Sequence, residues 1–156
     1  GDKTRAARKV IQKKSGLKQT GDKSSKYEKA LKQLYAKRDK TMLSKHFKKS
    51  EFKCGCKGKY CNGYPKEISP KLIGILEKLR VTYDKPITIT SGLRCSKYNS
   101  SLVGSVPNSA HKSGKAADIY IPNASLSGIR SKAYAYGAAY AYYGTSNMGN
   151  AVHINV

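Results

Sequence analysis

The sequence predicts an α+β fold: a basic helical segment, residues 1–45, in front of a domain over residues 46–156 that mixes helices with short strands. Three observations predict it. Charge is uneven, because residues 1–50 hold 17 Lys and Arg against 4 acids, whereas residues 51–156 hold 14 against 5. Apolar residues recur at helical spacing in the front and after residue 70, and strict alternation appears only later. The overall net charge of +22 on 156 residues points to polyanionic partners, and the 38% apolar content is low for a compact domain, so part of the chain carries charge without building core. The length suits one ordinary domain, or one small domain with an extension, better than a large multidomain enzyme. No run of about 18 apolar residues occurs and Gly1-Asp2-Lys3-Thr4-Arg5 lacks an apolar h-region, so neither a membrane span nor an uncleaved signal peptide is expected.

The elements follow in order. Ala6, Ala7, Val10, Ile11 and Leu17 have helical spacing, with Ser15-Gly16 as a stop; Tyr27, Ala30, Leu31, Leu34 and Tyr35 mark a second helix, basic on its outer face. These stretches also read as an arm whose charge is merely solvated. Gln12-Lys13-Lys14-Ser15-Gly16-Leu17, Thr20-Gly21, Ala30-Leu31 and Leu34 resemble the later part of a small three-helix peptidoglycan-binding repeat over roughly residues 4–38. Residues 41–64 read as irregular structure held by cysteine. Ser69-Pro70 resembles an N-cap with proline at the first helical position, and Leu72, Ile73, Ile75, Leu76, Leu79 and Val81 give that helix an apolar face. Residues 86–90 alternate as a half-buried strand. Residues 116–121 form a second, with Ala117, Ile119 and Ile121 on one face and Asp118 and Tyr120 on the other. A helix is expected from Ser125 to about Tyr136, and residues 151–156 close the chain as a third strand whose polar face carries His153 and Asn155.

The chemistry concentrates in Ser109-Ala110-His111-Lys112-Ser113-Gly114-Lys115-Ala116-Ala117-Asp118. Seven residues along one helix would leave His111 and Asp118 roughly 10 Å apart. A loop that pivots at Gly114 into a strand brings them together. With His153 the set offers three ligands, which suits Zn2+ with one position open to water, the arrangement of a catalytic rather than a structural metal. A single histidine is more often a satisfied core or surface residue. The surrounding pattern is what alters that reading.

That pattern, with Ile89-Thr90-Ser91-Gly92-Leu93-Arg94-Cys95 and Tyr98-Asn99 before it and Val152-His153-Ile154 after it, resembles peptidase family M15, the zinc D-Ala-D-Ala carboxypeptidases and peptidoglycan endopeptidases, over roughly residues 46–156. The resemblance implies a small antiparallel sheet carrying zinc, flanked by helices, as in lysostaphin-type peptidases and the hedgehog domain. It implies that His111, Asp118 and His153 bind the metal, that Arg94 binds a substrate carboxylate or polarises the scissile carbonyl, and that Ser109 lies close by to help bind substrate. Members commonly carry an acid three residues before the last ligand, and many carry an aspartate two residues after it. Here Asn150 and Asn155 stand there, and an amide exchanges no proton near neutral pH. Glu51, Glu67, Glu77 and Asp84 are the remaining distant carboxylates. The expectation is therefore a peptidoglycan stem-peptide hydrolase, carboxypeptidase or endolysin-type endopeptidase, with a silent wall-binding zinc domain as the alternative.

Cys54, Cys56, Cys61 and Cys95 are read first as one or two disulfides, suiting an enzyme that works outside the cytoplasm; the C-x-C spacing departs from the usual zinc ribbon, but a four-thiolate second metal site is the alternative. Tyr134, Tyr136, Tyr140, Tyr142 and Tyr143 either pack on the sheet or line a cleft. Expected partners are peptidoglycan and wall teichoic acid, with nucleic acid as the lesser option on charge alone. The expected state is a monomer, extracellular and associated with cell wall or virion.

Overall fold

A computed structural model describes residues 2–36 and 41–156. The chain divides into two compact units, Gly1–Lys40 and Thr41–Val156. The side chain of Tyr35 and positions 37–38 of the N-terminal resemblance lie outside the described residues.

The first unit pairs α1 (Asp2–Lys14) with α2 (Ser25–Ala36). The first helix ends where Ser15-Gly16 predicts. Gly16 takes φ +68°, and the Leu17 amide donates to the Gln12 carbonyl at 2.8 Å, the six-residue bond of a Schellman cap. Of the expected apolar residues, Ile11 and Leu17 are half-buried while Ala6, Ala7 and Val10 are exposed, and Gln12 is the buried side chain. Its amide accepts from the Gly21 N–H at 2.9 Å and donates to the Thr20 hydroxyl and the Asp22 carbonyl, so it substitutes for backbone pairing in the turn before α2. Tyr27 and Ala30 of α2 are buried.

In the second unit a one-turn 3-10 segment, Lys49–Phe52, buries Phe52 edge-on to Phe47. Helix α3 (Pro70–Tyr83) begins at Pro70 as expected, but Ser69 makes no side-chain cap; its amide instead donates to the Gly114 carbonyl at 2.8 Å. Leu72, Ile73, Ile75, Leu76 and Leu79 are buried, whereas Val81 is 69% exposed, because it falls outside the face that meets the sheet. Then follow β1 (Thr88–Ser91), α4 (Ser96–Ser100), β2 (Ala116–Tyr120), α5 (Leu126–Ala135), β3 (Tyr140–Tyr143) and β4 (Val152–Asn155). Ser125 caps α5 by accepting from the Gly128 amide.

The four strands form one antiparallel sheet in the order β1-β2-β4-β3. One strand more than expected is present, because the tyrosine-rich stretch contributes β3. Tyr-Ala-Tyr-Tyr alternates only once, too short a pattern for periodicity alone to separate it from the preceding helix. Ala117, Ile119, Ala141, Val152 and Ile154 turn one face of the sheet into a core shared with α3 and with Ile129 and Ala133 of α5. Among the described residues no helix is long and apolar enough to cross a membrane.

Candidate metal centre

The sheet's other face carries the polar residues, and its register sets them in a row. Asp118 pairs with His153 across β2 and β4, Tyr142 pairs with His153 across β3 and β4, and Ser91 pairs with Asp118 across β1 and β2. Ser91 reaches that place through a bulge: Ile89 pairs with Ile119, and one extra residue intervenes before Ser91. Such a bulge re-aims a side chain at the cost of one ladder position. Here the spare residue, Thr90, donates its hydroxyl to the Asp118 carbonyl at 3.1 Å.

His111 enters from outside the sheet. It sits on a one-turn 3-10 segment, Ala110–Ser113, that Gly114 ends with φ +71°. A Cβ at Gly114 would lie 2.0 Å from the Glu67 carbonyl oxygen, so both the conformation and the space require glycine. The pivot delivers the imidazole over the sheet, where it is 2% exposed. Its Nδ1 lies 2.6 Å from the Gly92 carbonyl oxygen, which only accepts; the proton therefore sits on Nδ1 and Nε2 faces the sheet with its lone pair.

Three donor atoms meet there. His111 Nε2 lies 3.3 Å from His153 Nδ1 and 3.3 Å from Asp118 Oδ1, and His153 Nδ1 lies 2.7 Å from the same oxygen. A tetrahedral zinc with bonds near 2.0–2.1 Å places its donors about 3.3 Å apart, so the two longer separations already have the required size. Burial works to raise the Asp118 carboxyl, but hydrogen bonds to His111 and His153, with their charges, outweigh it and hold the group well below the usual carboxylate range. The carboxylate is thus ionised, as a ligand must be.

Arg94 braces the far oxygen. Its Nη2 donates to Asp118 Oδ2 at 3.0 Å, and Nε and Nη2 both donate to Ser91 Oγ. Nη1 has no protein partner among the described residues. Tyr142 stacks on His153 with ring centroids 4.6 Å apart. Burial first, then the Asp118 charge, pushes its hydroxyl up, so it stays protonated.

Two cavities, of about 690 and 290 Å³, open over this centre and share Arg94, Gly104, Ser105 and Tyr142. Asp118 lines the larger; Ser109, His111, His153 and Asn155 line the smaller. Of the two amides singled out from the sequence, only Asn155 is brought to the centre; Asn150 is exposed in the turn before β4 and lines neither cavity. The distant carboxylates are engaged elsewhere: Glu77 with His46 at 2.6 Å, Glu51 with the Lys48 amide at 2.6 Å, Glu67 with Lys49 and Asp84 with Arg80. Asp118 is the one carboxylate among the described residues that line the two cavities. Of the five clustered tyrosines, Tyr142 stacks on His153 and Tyr140 joins it in lining the smaller cavity, a placement that needed the β3 register.

Cys54, Cys56, Cys61 and Cys95 come together: no S–S bond joins them in the structure, and their four sulfurs lie within 4.8 Å of one another, so each faces three others.

The sequence profile of the family described as Peptidase M15 matches residues 45–155, more than two thirds of the chain. No curated protein matches the chain.

Proposed function

The chain belongs to the peptidase M15 family, and on that premise we propose that it is a zinc metallopeptidase that hydrolyses an amide bond of the peptidoglycan stem peptide. The observation that carries this reading is the meeting of His111 Nε2, His153 Nδ1 and Asp118 Oδ1 at zinc-like spacing on the floor of a cleft. Bound zinc supplies Lewis acidity and lowers the pKa of a water molecule towards about 7.

The protein's own residues supply the rest. His111 is held in one tautomer by the Gly92 carbonyl, and Asp118 is held in one orientation by Arg94. The free Nη1 of Arg94 presents positive charge to a carbonyl or carboxylate in the cleft, where oriented donors stabilise developing negative charge. Tyr142 walls both cavities and keeps His153 from rotating. The two cavities share walls over the centre and leave open space beside both Asp118 and the two histidines. That favours cleavage of an internal bond over removal of a terminal residue.

A second reading, a zinc domain that binds cell wall without cutting it, is favoured by one observation: Asn155 stands in the cavity where an acid would serve as proton carrier. Incubating the full chain with purified peptidoglycan and zinc decides between them. The peptidase reading predicts new amino termini, their loss in His111→Ala by at least about 10³-fold, and continued cleavage of a stem peptide whose terminal carboxylate is amidated. Binding to peptidoglycan with no amino termini released supports the second reading, and cleavage that stops on amidation makes the activity a carboxypeptidase.

A further inference from the structure

We propose that Cys54, Cys56, Cys61 and Cys95 form a second, structural zinc site, separate from the His111, Asp118 and His153 centre. The four sulfurs lie within 4.8 Å of one another, and the Cys56 and Cys61 sulfurs are 3.5 Å apart. Zinc bound to four thiolates at about 2.3 Å spaces them about 3.8 Å apart along every edge. Pairwise disulfides draw sulfurs together two by two and give no reason for all four to converge.

Two backbone amides already point at sulfurs of the cluster. The Cys95 amide donates to the Cys54 sulfur at 3.3 Å and the Gly63 amide donates to the Cys61 sulfur at 3.4 Å. Amides aimed at sulfur are the supporting contacts a metal-bound thiolate requires. Lys57 and Gly58, at φ +51° and +88°, turn the chain between Cys56 and Cys61 so that both sulfurs point inward. Four thiolates leave a zinc centre with a net charge of −2, and exposed Lys53, Lys57 and Lys59 alternate with the cysteines along the same loop. All four positions are filled by sulfur, so no place is left for water, and the role is structural. Soft, tetrahedral thiolate sets select zinc among the common divalent ions.

The site also has something to hold. It ties the loop 54–61 to Cys95, the residue after Arg94, in a segment already clamped by the Leu93 amide on the Phe52 carbonyl at 2.8 Å and by Gly92 against the Phe52 backbone.

The test is elemental analysis and thiol counting on the full chain, produced in zinc-supplemented cells and purified without added reductant. Wild type is expected to carry two zinc ions, and His111→Ala and Cys56→Ser one each. In His111→Ala, titration with a mercurial should consume four thiols and release that one zinc. Retention of a single zinc by both wild type and His111→Ala also supports the cysteine site, while removing the metal from the proposed catalytic centre. If Cys56→Ser fails to fold, the His111→Ala chain still decides the matter. A His111→Ala chain with no thiols and no metal identifies two disulfides and overturns the inference. Four free thiols without metal, or iron in place of zinc, overturn it equally.

Discussion

Asn155 concentrates the mechanistic question at the scale of single residues. It shares the polar face of β4 with His153 and lines the cavity that holds His111 and His153. An amide there orients neighbours but carries no proton. Asn155→Asp is expected to raise the initial rate of peptidoglycan hydrolysis by about 10²-fold, the usual worth of a positioned general base. Asn150→Asp, in an exposed turn, should leave it unchanged. Equal rates in parent and Asn155→Asp would mean that no base is missing at this position. Arg94 is likewise better understood from geometry than from pattern. The SGxR resemblance implies a substrate ligand, and the structure adds that one arm of the guanidinium is spent on Asp118 while the other is free.

At the scale of elements, two junctions carry the site. Gly114 converts the 3-10 turn of His111 into β2, and its φ of +71° together with the nearby Glu67 carbonyl leaves no room for a side chain. Gly114→Ala is expected to cost about 1–3 kcal/mol in denaturant unfolding and to weaken zinc binding at the His111 centre, measured by competition with a chelator. The second junction fastens α3 to the segment before Phe47. Glu77 accepts from the His46 amide at 2.8 Å and pairs with its ring at 2.6 Å. Burial opposes ionisation of Glu77, but the nearby Ser44 hydroxyl and the hydrogen bonds and charge of His46 win and lower its pKa below the ordinary 4.5. A depressed carboxylate contributes stability that is present above pH 4.5 and lost as pH falls from there through the folded-state value. Glu77→Gln should therefore lose about 1 kcal/mol at neutral pH, and its melting temperature should fall less steeply than the parent's on acidification below pH 4.5. Parallel profiles would show that Glu77 is not the group responsible.

At the scale of the whole molecule, charge density separates the two units. Residues 1–40 carry a net +10, whereas residues 41–156 spread a net +12 over almost three times the length and build their core from the sheet face, α3 and α5. Binding of the full chain to purified sacculi is expected to fall steeply with salt, as expected where exposed cations meet a polyanion within a Debye length of about 10 Å at 0.1 M. It should also fall when wall phosphates are removed; salt-independent binding would assign the attachment to the cleft instead.

Much of this was legible in the amino acids. The α+β class and the helix after Pro70 follow from periodicity, and the His, Asp, His set is singled out by its resemblance to the M15 pattern among only three histidines and few acids, because those signals are local and the residues are scarce. β3 was not legible, since a four-residue Tyr-Ala-Tyr-Tyr run has too little pattern and becomes a strand only by pairing with β4. The exposure of Val10 and Val81, the burial of Gln12 and the placement of Tyr142 against His153 also depend on which face meets a neighbour. By itself the sequence determined which side chains are available for chemistry. Only the tertiary structure decided that Asn155 and not Asn150 reaches the centre, that Arg94 braces Asp118, and that four cysteines converge on one another. Those are distances between segments far apart in the chain, and strand register and backbone pivots set them.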